Sequence, residues 1–158
     1  MSKIDPSAPG GNAARKARLS LLAKAPGDRL VSLWARWCDG AAEPSHEILR
    51  GPEIGTVMVR GRAGSVGAPF NLGEMSVTRC TVRLGSGAVG HGHVQGRDKA
   101  ASRIAALVDA LCEDGQSDAL EDLILAPLRR AACDVAAKRA AKAAATKVEF
   151  FTMTRGEG

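Results

Sequence analysis

Apolar positions along this chain follow first a helical rhythm, then an alternating one, then a helical one again. Leu19, Leu22 and Ala23 share one side of a segment from Asn12 to about Ala25, which predicts a helix. Pro26-Gly27-Asp28 breaks it, and Asp28 is placed to cap the next one. There Leu30, Leu33, Trp34, Trp37 and Cys38 stand at i, i+3, i+4, i+7 and i+8, a stripe whose two tryptophans read as a core or an interface anchor, the core being the simpler reading. The rhythm then changes to strand-like segments at Ser45–Arg50, Ile54–Gly61, Met75–Leu84 and Ala88–Gln95. Gly51-Pro52 separates the first pair, and Gly85-Ser86-Gly87 reads as a three-residue hairpin loop joining the second. Helical spacing returns with Ile104, Leu107, Val108, Leu111 and Cys112, for which Asp98 is the expected N-cap. A second stripe, Leu120, Leu123, Ile124 and Leu128, meets Pro127, which should kink or split its helix. Residues 128–146 are rich in Ala, Lys and Arg, with Lys138, Arg139 and Lys142 on a solvated face. Val148–Met153 reads as a short closing strand, for the sheet edge or for another subunit.

Hairpins followed by helices predict an α+β domain, an antiparallel sheet of about four to five strands covered by N-terminal and C-terminal helices. Residues 1–11, with Ser, Pro and Gly but no periodicity, read as a disordered tail, and residues 12–158 as a single domain. The segment Gly61–Pro69 carries neither the GxxxxGK[ST] nor the GxGxxG phosphate-binding pattern, and reads as a connection or a partner-contacting loop.

Composition narrows the function classes. Aromatic residues are 3% of the chain and Tyr is absent, which argues against a surface that stacks nucleic-acid bases. A net charge of +5 fits an anionic ligand or an acidic partner. No apolar run reaches the length of a membrane span and the N-terminus lacks a signal-peptide core, so the expected location is cytoplasmic. Cys38, Cys80, Cys112 and Cys133 form no CxxC pair and read as buried or incidental thiols.

The chemistry-bearing candidates are few. Gly96-Arg97-Asp98-Lys99 forms a corner before a helix, where backbone N–H groups, Arg97 and Lys99 could attract an anion. Asp98 competes for the same donors, and a structural corner is the simpler reading; a nucleotide- or phosphate-binding domain is the functional one. Strand alternation sends Arg79, Thr81 and Arg83 to one face and Thr78, Cys80, Val82 and Leu84 to the other. His91 and His93 share a strand face at a metal-compatible spacing, with His46, Cys80 or Glu74 as third ligand only if the fold gathers them. No G-x-S-x-G serine, Cys–His pairing or paired carboxylates are evident.

Three segments together carry a resemblance: Leu72-Gly73-Glu74-Met75-Ser76-Val77-Thr78-Arg79-Cys80-Thr81-Val82-Arg83-Leu84, then Gly90-His91-Gly92-His93-Val94-Gln95-Gly96-Arg97-Asp98-Lys99, then Val148–Gly156. The chain resembles the G subunit of the bacterial carbon–phosphorus lyase core complex. The resemblance implies an assembly of paired G, H, I and J subunits. Its I subunit would be the catalytic centre of the first step. With the G, H and L proteins, it displaces adenine from the ribose of MgATP by a phosphonate, giving a ribose 1-phosphonate 5-triphosphate. The J subunit, which uses S-adenosylmethionine and an iron–sulfur cluster, cleaves the carbon–phosphorus bond later. This chain would bind no cofactor or metal alone and would be a non-catalytic scaffold held chiefly by the I subunit, with no contact to nucleic acid or membrane. Within the resemblance Gln95, Gly96, Arg97, Asp98 and Lys99 become functional or interface candidates, as do Arg79, Arg83, Phe150, Phe151 and Arg155, with catalytic residues unassigned. The competing reading is a stand-alone metal-dependent enzyme built on His91 and His93.

Overall fold

A computed structural model describes residues 9–64 and 66–146. Phe150, Phe151 and Arg155, with the expected closing strand, lie outside the described residues. Two N-terminal helices, α1 (Pro9–Lys24) and α2 (Gly27–Cys38), precede strands β1 (His46–Gly61), β2 (Phe70–Leu84) and β3 (Val89–Gln95). Helices α3 (Lys99–Glu113), α4 (Ser117–Leu120) and α5 (Ala126–Ala145) follow. Asp28 lies in the first turn of α2 and makes no cap: the N-cap position is Pro26, and no side chain bonds there.

Among the described residues the sheet has three antiparallel strands in the order β1-β2-β3, where the sequence predicts four. The shortfall sits at Gly51-Pro52. These residues do not separate two strands; they lie inside β1, where its register against β2 slips between Ile48 and Arg50 and again between Arg50 and Glu53. Proline has no N–H to give a ladder, and an outer strand with bulges can absorb one without breaking. The hairpin at the other end agrees with its sequence. Leu84 N–H donates to Ala88 O at 2.9 Å, Gly87 N–H donates to Leu84 O at 2.9 Å, and Gly87 takes a φ of 96° that an L side chain would resist.

Pairing of β1 with β2 runs out to Gly61 and Phe70, whereas β3 accompanies β2 only from Val77 to Arg83. A two-stranded ribbon therefore projects past the third strand. Its turn is the glycine-rich segment after Gly61, with Val66 95% exposed.

Helix α3 covers one face of the sheet. Cys80, Val82 and Val94 meet a stripe containing Ile104, Leu107, Val108 and Leu111, all buried. The closeness of this contact depends on Gly90 and Gly92. A Cβ at Gly90 would overlap Ala106 O and Ala110 N, and one at Gly92 would overlap Ser102 O. The Gly-His-Gly-His alternation is thus a packing device, glycines toward the helix and histidines away from it.

Leu22, Leu30, Leu33 and Trp34 extend the core on one side, with Trp37 stacked on Trp34 at a centroid distance of 4.9 Å. Leu120, Ile124, Leu125 and Leu128 continue it, with the Glu121–Leu125 segment packed against α2. Pro127 splits this last helical stretch as expected: Glu121–Leu125 form a π turn in which Ala126 N–H reaches back to Glu121 O, before α5 starts. The extra residue in that turn rotates the apolar stripe. Leu123 consequently points outward, 49% exposed, and Leu125 takes the core position instead.

Candidate functional site

The sheet face turned away from α3 gathers most of the sequence candidates. Arg79, Thr81 and Arg83 project from it as the alternation of β2 requires. Arg79 pairs with Glu53 at 3.2 Å and Arg83 with Glu47 at 2.5 Å, each an exposed cross-strand ion pair to β1. Such pairs fix the β1–β2 register and contribute little stability in water. Beside them His91, His93 and Gln95 of β3 share the face, and Thr81 Oγ1 lies 3.3 Å from His91 Nδ1. Leu19, Ala23, Val57, Met75, Val77 and His93 help line an open groove of about 550 Å³ there.

The proposed metal-ligand set does not assemble. Cys80 faces α3 and is buried, His46 pairs with Leu84 at the opposite end of β2, and Glu74 lies beyond the end of β3. Among the described residues no group of three or more His, Cys, Asp or Glu is close enough to hold a metal ion. Burial raises the pKa of the Cys80 and Cys112 thiols, which makes both poor nucleophiles.

At the corner, Gly96 adopts a φ of 92°, its N–H donates to Ser76 O at 2.8 Å, and its carbonyl accepts from the buried Thr78 Oγ1 at 2.8 Å. Asp98 caps α3, accepting from Ala101 N–H at 2.9 Å. The carboxylate thus occupies a donor that an anion would need. Arg97 and Lys99 are exposed and enter no ion pair among the described residues. Gln95 adjoins this corner, opposite Val77, whereas Arg83 stands opposite Val89 at the far end of β3. Six residues of strand, roughly 20 Å, separate the two ends, so the candidates form a strip and not a single pocket.

Two polar arrangements, one buried and one partly exposed, escaped the sequence reading. Asp109, 0% exposed on α3, accepts from Arg15 Nη2 at 2.7 Å, from Arg18 Nη2 and Nε at 2.8 and 3.2 Å, and from His91 N–H at 3.0 Å. Arg15 also donates to Val89 O at 3.2 Å, so α1 is fastened to the outer edge of β3 through its backbone. The available signal was a pair of arginines at i, i+3 in the first helix and a lone carboxylate inside an apolar stripe. In the second arrangement Glu43 accepts from Trp34 Nε1 at 2.9 Å and from both terminal nitrogens of Arg103, at 2.5 and 3.0 Å. The Arg103 guanidinium holds the Glu43 carboxyl below its ordinary range. A glutamate in a loop between two elements gives no such signal in the sequence.

The family model described as phosphonate metabolism protein PhnG matches residues 13–156. The chain belongs to this family. A curated PhnG relative from Rhizobium meliloti (strain 1021), named alpha-D-ribose 1-methylphosphonate 5-triphosphate synthase subunit PhnG, is 45% identical over 152 residues. That alignment covers 93% of this chain and 92% of the relative. Both PhnG matches run through the outer sheet face and the Gly96–Lys99 corner, and the family model extends over Phe150, Phe151 and Arg155 as well.

Proposed function

We propose that this chain is the G subunit of a ribose 1-methylphosphonate 5-triphosphate synthase in phosphonate catabolism, acting as a non-catalytic scaffold. The observation that carries the reading is the near full-length identity to a protein named as a subunit of that synthase. The side-chain chemistry supports the scaffold role. Buried Asp109 is neutralised by arginines that hold one helix in place, and Arg79 and Arg83 are taken up by cross-strand glutamates. In this reading the assembly transfers a phosphonate to the ribose C1 of ATP with release of adenine. MgATP enters as its substrate, the I, H and J subunits are the partners, chiefly I, and the L protein acts with them. S-adenosylmethionine and an iron–sulfur cluster belong to the J subunit, and the assembly works in the cytoplasm. No described helix is long and apolar enough to cross a membrane.

Adenine release from MgATP and methylphosphonate tests this reading. The synthase reconstituted with all its subunits should release adenine, and omission of this chain should abolish release, with re-addition restoring it. Equal release without the chain would sink the proposal. The stand-alone metal enzyme finds no support in the placement of His91 and His93, whose suggested third ligands lie elsewhere.

A further inference from the structure

We infer that the edge of β2 around Glu74, left open where β3 ends, receives an extended segment of a partner synthase subunit. That segment adds as a strand in line with β3 and carries carboxylates toward Arg97 and Lys99. The inference rests on the subunit reading above and says how the partner is held.

The backbone fixes the geometry. His91 N–H turns away from β2 to reach Asp109, while Gly96 N–H returns to Ser76 O. Residues of β2 in step with Ser76 and Thr78 therefore direct their backbone groups toward the β3 side. Glu74 is the next in that series. Among the described residues no strand runs opposite it on that side. Open N–H donors and C=O acceptors in a row form the template on which a strand is added.

The ribbon around this edge is apolar and unsupported. Met58, Phe70 and Leu72 are 55%, 45% and 61% exposed. Two strands without a third are marginally stable in water, so an added strand supplies what the ribbon lacks. The sign of charge selects the occupant. Arg97 and Lys99 stand exposed and without an ion-pair partner among the described residues at the step where the added strand would end. A second copy of a chain carrying +5 would bring like charge to this step, whereas an acidic segment complements it.

The full-length chain is co-expressed with the other synthase subunits and the assembly is purified. Glu74→Pro removes the N–H on the open side and spares the pairing with β1. It should lower the partner subunits recovered per chain by about tenfold. The double variant Arg97→Glu, Lys99→Glu should lower recovery as well, with the larger defect at low salt. In the wild-type assembly the Glu74 amide should exchange with deuterium at least about tenfold more slowly than in the free chain. That last measurement decides the matter even where the proline variant folds poorly. Wild-type recovery with Glu74→Pro in a folded chain, or equal Glu74 exchange free and assembled, would overturn the inference alone. So would cross-links from a photoreactive residue at Leu72 to a second copy or to the chain's own C-terminal residues. A wild-type chain that recovers no synthase subunit would overturn the subunit reading itself.

Discussion

Replacing Asp109 by Asn should destabilise the protein by about 3 kcal/mol without changing its fold. The carboxylate is 0% exposed and accepts four hydrogen bonds, from Arg15, Arg18 and the His91 N–H. Removing one member of a buried ion pair costs about 3–5 kcal/mol because a charge is left behind without its partner. Here the lower end applies. The Arg15 and Arg18 side chains are 30% and 11% exposed, so Arg15 can recover part of its hydration, and Arg18 keeps Glu113 at 2.5 Å. For a chain of this size about 3 kcal/mol corresponds to a fall of roughly 6–12 °C in melting temperature. Calorimetry at neutral pH reads that fall directly. A double-mutant cycle of Asp109→Asn with Arg18→Ala should show a coupling of at least about 1 kcal/mol, because Asp109 and Arg18 are in direct contact and each loses a partner when the other is replaced. A melting temperature for Asp109→Asn within about 1 °C of wild type, or strictly additive single effects, would refute the assignment of this cluster as the clasp between α1 and α3.

Gly92→Ala should lose about 2 kcal/mol or more in urea unfolding, since its Cβ meets Ser102 O, whereas Gly85→Ala, with open space around it, should be neutral. The Glu43 carboxyl has a lowered pKa, so its contribution is present above the ordinary value of 4.5 and is lost as pH falls through the lowered one. Melting temperatures from pH 6 to 3 should therefore fall less steeply for Glu43→Gln than for wild type below about pH 4.5, and identical slopes would contradict the Arg103 pairing. A thiol reagent should label exposed Cys133 at once and buried Cys80 and Cys112 only on unfolding; fast labelling of three or more thiols in the folded chain would contradict the packing of α3.

Periodicity made the helices legible. The stripe from Ile104 to Cys112, its Asp98 cap and the split at Pro127 all follow from local rules that the tertiary structure leaves intact. Strand count was not legible, because Gly51-Pro52 means a turn in most contexts and becomes a bulge only when the strand is an outer one. Leu123 was misplaced for a related reason: one residue added to a helical turn rotates everything after it, and spacing alone does not reveal the addition. For the candidate site, alternation correctly put Arg79 with Arg83 on one face of β2 and His91 with His93 on one face of β3, while their sharing a sheet face appears only in the fold. What they touch depends on which strand of the sheet lies alongside, and this is long-range information. The Asp109 clasp joins residues more than ninety positions apart and has no local signature.

The glycines of β3 have an entropic consequence. Where Gly90 and Gly92 meet Ala106 and Ala110, helix and strand touch through backbone and methyl groups. At these two positions no rotatable side chain is immobilised, so there the ordering penalty of the contact falls on the main chain alone. A contact of that kind has no alternative packing to relax into. Its geometry is set by shape, which makes the β3–α3 contact the part of the fold least able to tolerate an added side-chain atom.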